Sequence, residues 1–190
     1  MTVSGIPCDI TVLRSRRKTL SAEIRKDGTL LVRAPLRLPE AEIRRFLTDK
    51  SAWIYKHLQK QREIQEAVRN VQKLTDEELE RLADAARREI PKRVQYYADL
   101  LGVRFGRITI RCQKTRWGSC SAAGNLNFNC LLMLAPAKVL DSVVAHELCH
   151  RIHPNHSQSF YDAVRRIDPD YDKSHAWLKK NGILLLSRMP

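Results

Sequence analysis

The stretch Val143–Phe160, VVAHELCHRIHPNHSQSF, decides how this chain is read. Within it, His146-Glu147-Leu148-Cys149-His150 forms an H-E-x-x-H string. On a helix, positions i and i+4 share one face, so His146 and His150 can point two imidazole nitrogens at one metal ion. Glu147 stands between them and can act as general base on a water activated there. A catalytic zinc takes three protein ligands and keeps one position open. His156 lies six residues past His150, just beyond Pro154, where a helix cannot continue. A turn there can swing His156 back over the same metal. Val143, Val144, Leu148 and Ile152 recur at helical spacing and predict a buried helix under the site. Four of the six histidines fall between His146 and His156, which favours a metal site over a chance string. Cys149 is one position off the ligand face and reads as a small buried residue.

These residues resemble the YgjP-like metallopeptidase domain, a relative of the WLM and SprT-like zinc peptidases. That family shows H-E-x-x-H, a third histidine six residues on and then a phenylalanine, matched here by His146, Glu147, His150, His156 and Phe160. The string RWGSCS from Arg116 to Ser121, the N-terminal string RSRRKTLSAEIRKDGTLLVRAP and Trp177 also look like this family. The resemblance implies Zn2+ held by His146, His150 and His156, with Glu147 catalytic. It also favours His156 over His153 as third ligand, leaving His153 a supporting or surface role. The implied fold is α+β. It would combine a zincin-like helical domain, with a short antiparallel sheet beside the metal helix, an N-terminal β-hairpin region and long helices. The expected division is a basic strand/helix region over residues 1–74 and the metallopeptidase domain over residues 75–190.

Composition narrows the class. An apolar content of 43% suffices for a packed core rather than a disordered chain. No run nears the ~18 apolar residues that span a bilayer, so no membrane role is expected. The N-terminal MTVSGIPCDI lacks a basic segment followed by an apolar one, so a cytoplasmic protein is the default. Five cysteines, an odd number without a C-x-x-C pair, argue against a disulfide framework and against a cysteine zinc site. The net charge is +13, and residues 1–75 hold 16 Lys/Arg against 8 Asp/Glu. Nucleic acid or another polyanion is therefore an expected partner of the basic half, through Arg14, Arg16, Arg17 and Lys18, beside a protein or peptide substrate. Plain solubility explains the charge equally well.

Read in order, Asp9–Ala34 alternates like two or three antiparallel strands, with Lys26-Asp27-Gly28 as a hairpin turn. Pro39 opens a helical region with a break near Lys50-Ser51 and Ser51 as N-cap. A second long helix starts at Thr75, whose side chain can cap it, and Pro91 should kink or divide it. Gly102 ends it. Two or three strands follow, over Ile108–Cys112, Thr115–Ser121 and Leu126–Cys130. An edge strand beside a metal can pair with an extended peptide, and Arg116, Trp117, Gly118 and Ser119 are the candidates for that surface. A core Trp117 and a bulged Gly118 account for them as well. The metal helix is expected over Ala137–Ile152, a next helix over Ser157–Ile167, and a last one over Tyr171–Lys180, stopped by Asn181-Gly182.

Three classes of function fit. The first is a zinc peptidase acting on extended protein segments. The second is a metal-dependent hydrolase of nucleotide phosphoanhydrides, attracted by the basic half. The third is a nucleic-acid module with a structural metal, against which Glu147 argues, since such a site has no use for a base. For a donor to the oxyanion of a peptidase, His153, Tyr161, Tyr171 and His175 stand open, and Asp162 or Asp168 could orient a ligand imidazole.

Overall fold

The structure, a computed structural model, describes residue 3 and residues 5–190. It divides into two compact units, Met1–Asn70 and Val71–Pro190. The expected boundary was four residues later. Leu74 belongs with the second unit because it is buried in that unit's core and its N–H donates to the Arg188 carbonyl at 2.8 Å.

The first unit is a three-stranded sheet with two helices. Strands β1 (Ile10–Ser15), β2 (Ser21–Ile24) and β3 (Leu30–Pro35) lie in the order β1-β3-β2. The β2–β3 pair is the expected hairpin. Gly28 takes a positive φ of 85°, and Asp27 accepts from the Thr29 N–H and hydroxyl. The β1–β3 pair, however, is parallel, with Ile10 opposite Leu30. The sheet is thus mixed rather than antiparallel. Helices α1 (Glu40–Asp49) and α2 (Ser51–Arg69) meet at Lys50, where the break was expected. Lys50, not Ser51, is the residue before α2, and no side chain caps it. Ile43, Leu47, Ile54 and Leu58 form the buried core with Leu30 and Val32 of the sheet.

The second unit holds the H-E-x-x-H string. Helix α3 (Asp76–Leu101) begins at a full capping box. Thr75 Oγ1 accepts from Glu78 N–H, and Glu78 Oε2 accepts from Thr75 N–H at 2.8 Å. Pro91 neither divides nor ends α3. Proline costs the helix one hydrogen bond. Ala86, Ile90, Val94 and Ala98 are buried on both sides of it, so packing of that face holds the helix together. Gly102 closes α3 in the left-handed conformation.

Strands β4 (Ile108–Arg111), β5 (Gly118–Cys120) and β6 (Leu126–Asn129) form a second mixed sheet, ordered β4-β6-β5. β4 runs parallel to β6 and β5 antiparallel, so the sheet beside the metal helix is not the purely antiparallel one expected. β5 is an edge strand. Cys130 leaves the strand pattern and opens a 3-10 turn to Leu134, because Asn129 Oδ1 accepts from the Leu131 N–H.

Helix α4 (Ala137–Cys149) carries the motif and is buried on most sides. α5 (Gln158–Ile167) starts at a Ser157 cap. α6 runs from Tyr171 to Ser187, through the Asn181-Gly182 pair expected to stop it. Gly182 serves packing instead: a Cβ there would lie 3.2 Å from the Trp117 ring. Among the described residues no helix is long and apolar enough to cross a membrane.

The capping box predicts that Thr75→Ala lowers stability by about 1 kcal/mol, whereas Thr75→Ser stays within about 0.5 kcal/mol. Urea unfolding followed by helical circular dichroism reads both. An unchanged midpoint for Thr75→Ala would remove the cap from α3's stability.

Candidate metal centre

His146 and Glu147 lie in the last turn of α4, and His150 continues its helical backbone as the C-cap. The chain then turns through Pro154 and brings His156 back. One ring nitrogen from each of His146, His150 and His156 lies within 4.8 Å of the others. His146 Nε2 and His156 Nε2 are 3.1 Å apart. Nitrogens on a tetrahedral ion at about 2.0–2.1 Å stand roughly 3.4 Å from one another, so the cluster fits such an ion.

The tautomers fit as well. His150 Nδ1 is 3.2 Å from the His153 carbonyl, which can only accept, so Nδ1 carries the proton and Nε2 the lone pair. His146 Nδ1 is 3.2 Å from the Tyr171 hydroxyl, leaving Nε2 toward the cluster. Burial pushes the Tyr171 phenol up to about 12, so it stays neutral. Burial, reinforced by His150, His156 and His175, holds His146 down to about 4. Burial likewise lowers His150. Neutral imidazoles are the form that binds metal. Phe160, fully buried, is the floor on which all three rings pack, with centroids 4.8, 4.6 and 4.9 Å from those of His146, His150 and His156.

Glu147 is 7% exposed, and burial raises its carboxyl to about 7. It lies directly under the backbone of β5. A Cβ on Gly118 would be 2.6 Å from Glu147 Oε1 and 2.7 Å from its Cγ. Gly118 is thus the residue that lets the edge strand and the carboxylate approach, rather than a bulge.

Two cavities open on either side of this contact, and Arg116, Gly118, His146 and Glu147 line both. One, of about 270 Å³, is walled by Trp117, Val139, Val143 and Leu178. Ser142 Oγ at its wall is buried and makes no hydrogen bond among the described residues. The other, of about 540 Å³, follows the strand past Ser119 to Ala122 and reaches His150 and His156. Arg116, Trp117, Gly118 and Ser119 therefore sit beside the cluster. The Asn129 amide holds the Arg116 carbonyl at 2.8 Å, and Asn129 N–H donates to the Trp117 carbonyl.

Other expected positions are placed differently. His153 contributes only its backbone carbonyl to the cluster, and Tyr171 supports His146. Asp162 accepts from Gln158, and Asp168 makes no bond to a ligand imidazole among the described residues. His175 stacks on Tyr171, and Tyr161 lies 6.1 Å from His156 between ring centroids. Cys149 is buried against Phe160 and Val164. In the first unit, Arg14 Nη1 donates to the carbonyls of Pro35, Leu36 and Leu38, and Arg17 donates to Thr19, while Arg16 and Lys18 are exposed. Asn129 and Phe160's role as a common floor were not foreseen. Both act through tertiary contacts that spacing does not reveal.

The model of the YgjP-like metallopeptidase domain matches residues 18–80 and 70–181 of the chain. The chain belongs to the YgjP-like metallopeptidase family. Membership implies a divalent metal, and the His146–His150–His156 donor set suits one. No curated protein matches the chain. Among solved structures it is similar to the metallopeptidase zymogen jannalysin of Methanocaldococcus jannaschii, at 20% identity over 50% of this chain and 99% of that one, with a TM-score of 0.45. It is also similar to the zymogen abylysin of Pyrococcus abyssi, at 20% identity over 48% and 93%, with a TM-score of 0.43.

Two outcomes follow for this YgjP-like site. Tyr171→Phe removes the partner of His146 Nδ1 and should weaken metal affinity roughly 10–100-fold, as read by competition with a chromogenic chelator. Gly118→Ala should displace Glu147 and cost about 10²-fold or more in hydrolysis while leaving metal content unchanged. Full activity in Gly118→Ala would show that the carboxylate has room to spare.

Proposed function

We propose that the chain is a zinc peptidase that takes an extended protein segment along the edge strand β5. The observation that carries this reading is the buried Glu147, packed against the backbone of Gly118 and lining one cavity with three gathered imidazoles. His146, His150 and His156 would hold the ion. When bound, zinc supplies Lewis-acid chemistry, lowering the pKa of water toward about 7 and polarising a carbonyl. Glu147 accepts the proton of the attacking water and delivers it to the leaving amine. Burial raises the Glu147 carboxyl, and a bound cation would lower it again toward the ionised form that a base needs.

The chain's own backbone would do the positioning. β5, at the edge of its sheet, has no strand partner on its outer side among the described residues, and a peptide would add there as a strand. The two cavities flank Glu147, so side chains on both sides of the scissile bond find room. The smaller cavity suits an apolar side chain, with the Ser142 hydroxyl as its polar group. Arg116, exposed and lining both cavities, is placed to meet substrate carbonyls.

The test is a panel of denatured proteins and nucleoside triphosphates, each with and without chelator. Chelator-sensitive cleavage of the proteins alone is expected. Glu147→Gln should keep the metal and lose about 10²–10⁴-fold in rate. His156→Ala should release the metal, and His153→Ala should retain it. Chelator-sensitive turnover confined to the triphosphates would overturn the peptidase reading, and activity of Glu147→Gln within about threefold of the parent would overturn the base.

A further inference from the structure

Cys112 and Cys130 bring their sulfurs to 2.7 Å, although both are free thiols. They follow β4 and β6 directly. Arg111 is in parallel register with Asn129, and Cys112 and Cys130 are the residues that follow them. Neighbouring strands lie about 4.8 Å apart, inside the ~4.4–6.8 Å Cα separation that a disulfide requires. Cys112 is exposed and Cys130 buried. We propose that this pair is an oxidation site, in which a peroxide converts Cys112 and Cys130 into a disulfide that closes the loop bearing Arg116, Trp117 and β5. The proposal does not depend on the metal or on the peptidase reading.

The two thiols have separate parts. Cys112, open to solvent, meets the oxidant. Its sulfur attacks one peroxide oxygen; the S–O bond forms, the O–O bond breaks, and water leaves. The Cys130 sulfur then attacks the Cys112 sulfur. The S–S bond forms, the S–O bond breaks, and the departing hydroxide takes the Cys130 proton as a second water. Two thiols are oxidised by two electrons and one peroxide is reduced to two waters. Burial and the adjacent Cys112 push Cys130 up to about 12, so it stays a thiol, and its burial against Cys112 leaves that sulfur as the one in reach.

The closed loop is already anchored beside the pair. The Asn129 amide donates to the carbonyls of Gln113 and Arg116 at 2.8 Å each. A covalent link at Cys112 fixes the entry to the same loop without moving it, because the sulfurs are in contact before oxidation. The cross-link therefore constrains the unfolded chain more than it perturbs the folded one. Cys8, Cys120 and Cys149 have no sulfur neighbour among the described residues and serve as internal controls.

The experiment treats the reduced full chain with hydrogen peroxide at low molar excess, alkylates it, and maps it by mass spectrometry without reduction. Free thiols should fall from five to three, one peptide pair should be joined through Cys112 and Cys130, and the melting temperature should rise by roughly 5–10 °C. Dithiothreitol should reverse all three changes. Cys112→Ser should abolish the cross-link, and Cys149→Ser should keep it. Five thiols after treatment, a Cys112 sulfinic acid with Cys130 still free, or a Cys112 link between two chains would each overturn the proposal.

Discussion

Glu147 lies so close under the backbone of Gly118 that no side chain fits between them. Burial alone makes a carboxylate resist ionisation. The site sustains this cost because the carboxylate is fixed from two directions. α4 supplies it from below as part of a helix whose Val144, Leu148 and Cys149 are fully buried. The edge strand caps it from above. Moving either element would expose the carboxylate or push it into the helix. The packing of β5 on α4 therefore sets how deeply the carboxylate is buried.

The same economy governs the imidazoles. Each Nε2 is useful only if the other ring nitrogen is committed elsewhere. His150 is committed to a carbonyl three residues on, so the turn after α4 sets its tautomer. His146 is committed to Tyr171, the first residue of α6, so a helix distant in sequence sets its orientation. Phe160 from α5 supports all three rings from beneath. Three helices converge on one cluster, and the hydrogen bonds and aromatic packing around it orient the rings.

Parts of this were legible in the chain because they are local. The i, i+4 spacing of His146 and His150, the Thr75–Glu78 box and the Asp27-Gly28 turn need only a few consecutive residues to act. The parallel pairings of β1 with β3 and β4 with β6 were not legible. Alternation in a strand shows which face is buried but not which neighbour it joins or in which direction. The reading of Pro91 as a boundary and of Gly182 as a stop failed for a related reason. Their local preference is to interrupt a helix, and burial of α3 on one hand and of Gly182 against Trp117 on the other overrides it. Tyr171 stood among several open donors, because only the tertiary fold brings it to His146.

Charge shows a further limit of composition. Net charge fixes the long-range field of a unit, and residues 1–75 carry a clear excess of base. A specific anion site needs donors free at close range in a suitable fork. Several guanidinium groups of this unit are spent on its own structure. Arg14 ties the chain after β3 by three carbonyls, Arg62 holds the Pro7 carbonyl, Arg33 pairs with Glu23, and Arg44 with Glu40. Counting basic residues treats all of these as equivalent to Arg16 and Lys18, which stand in solvent. The count bounds only the long-range field of the unit. The hydrogen bonds already made leave fewer arginines free for any anion than the count suggests.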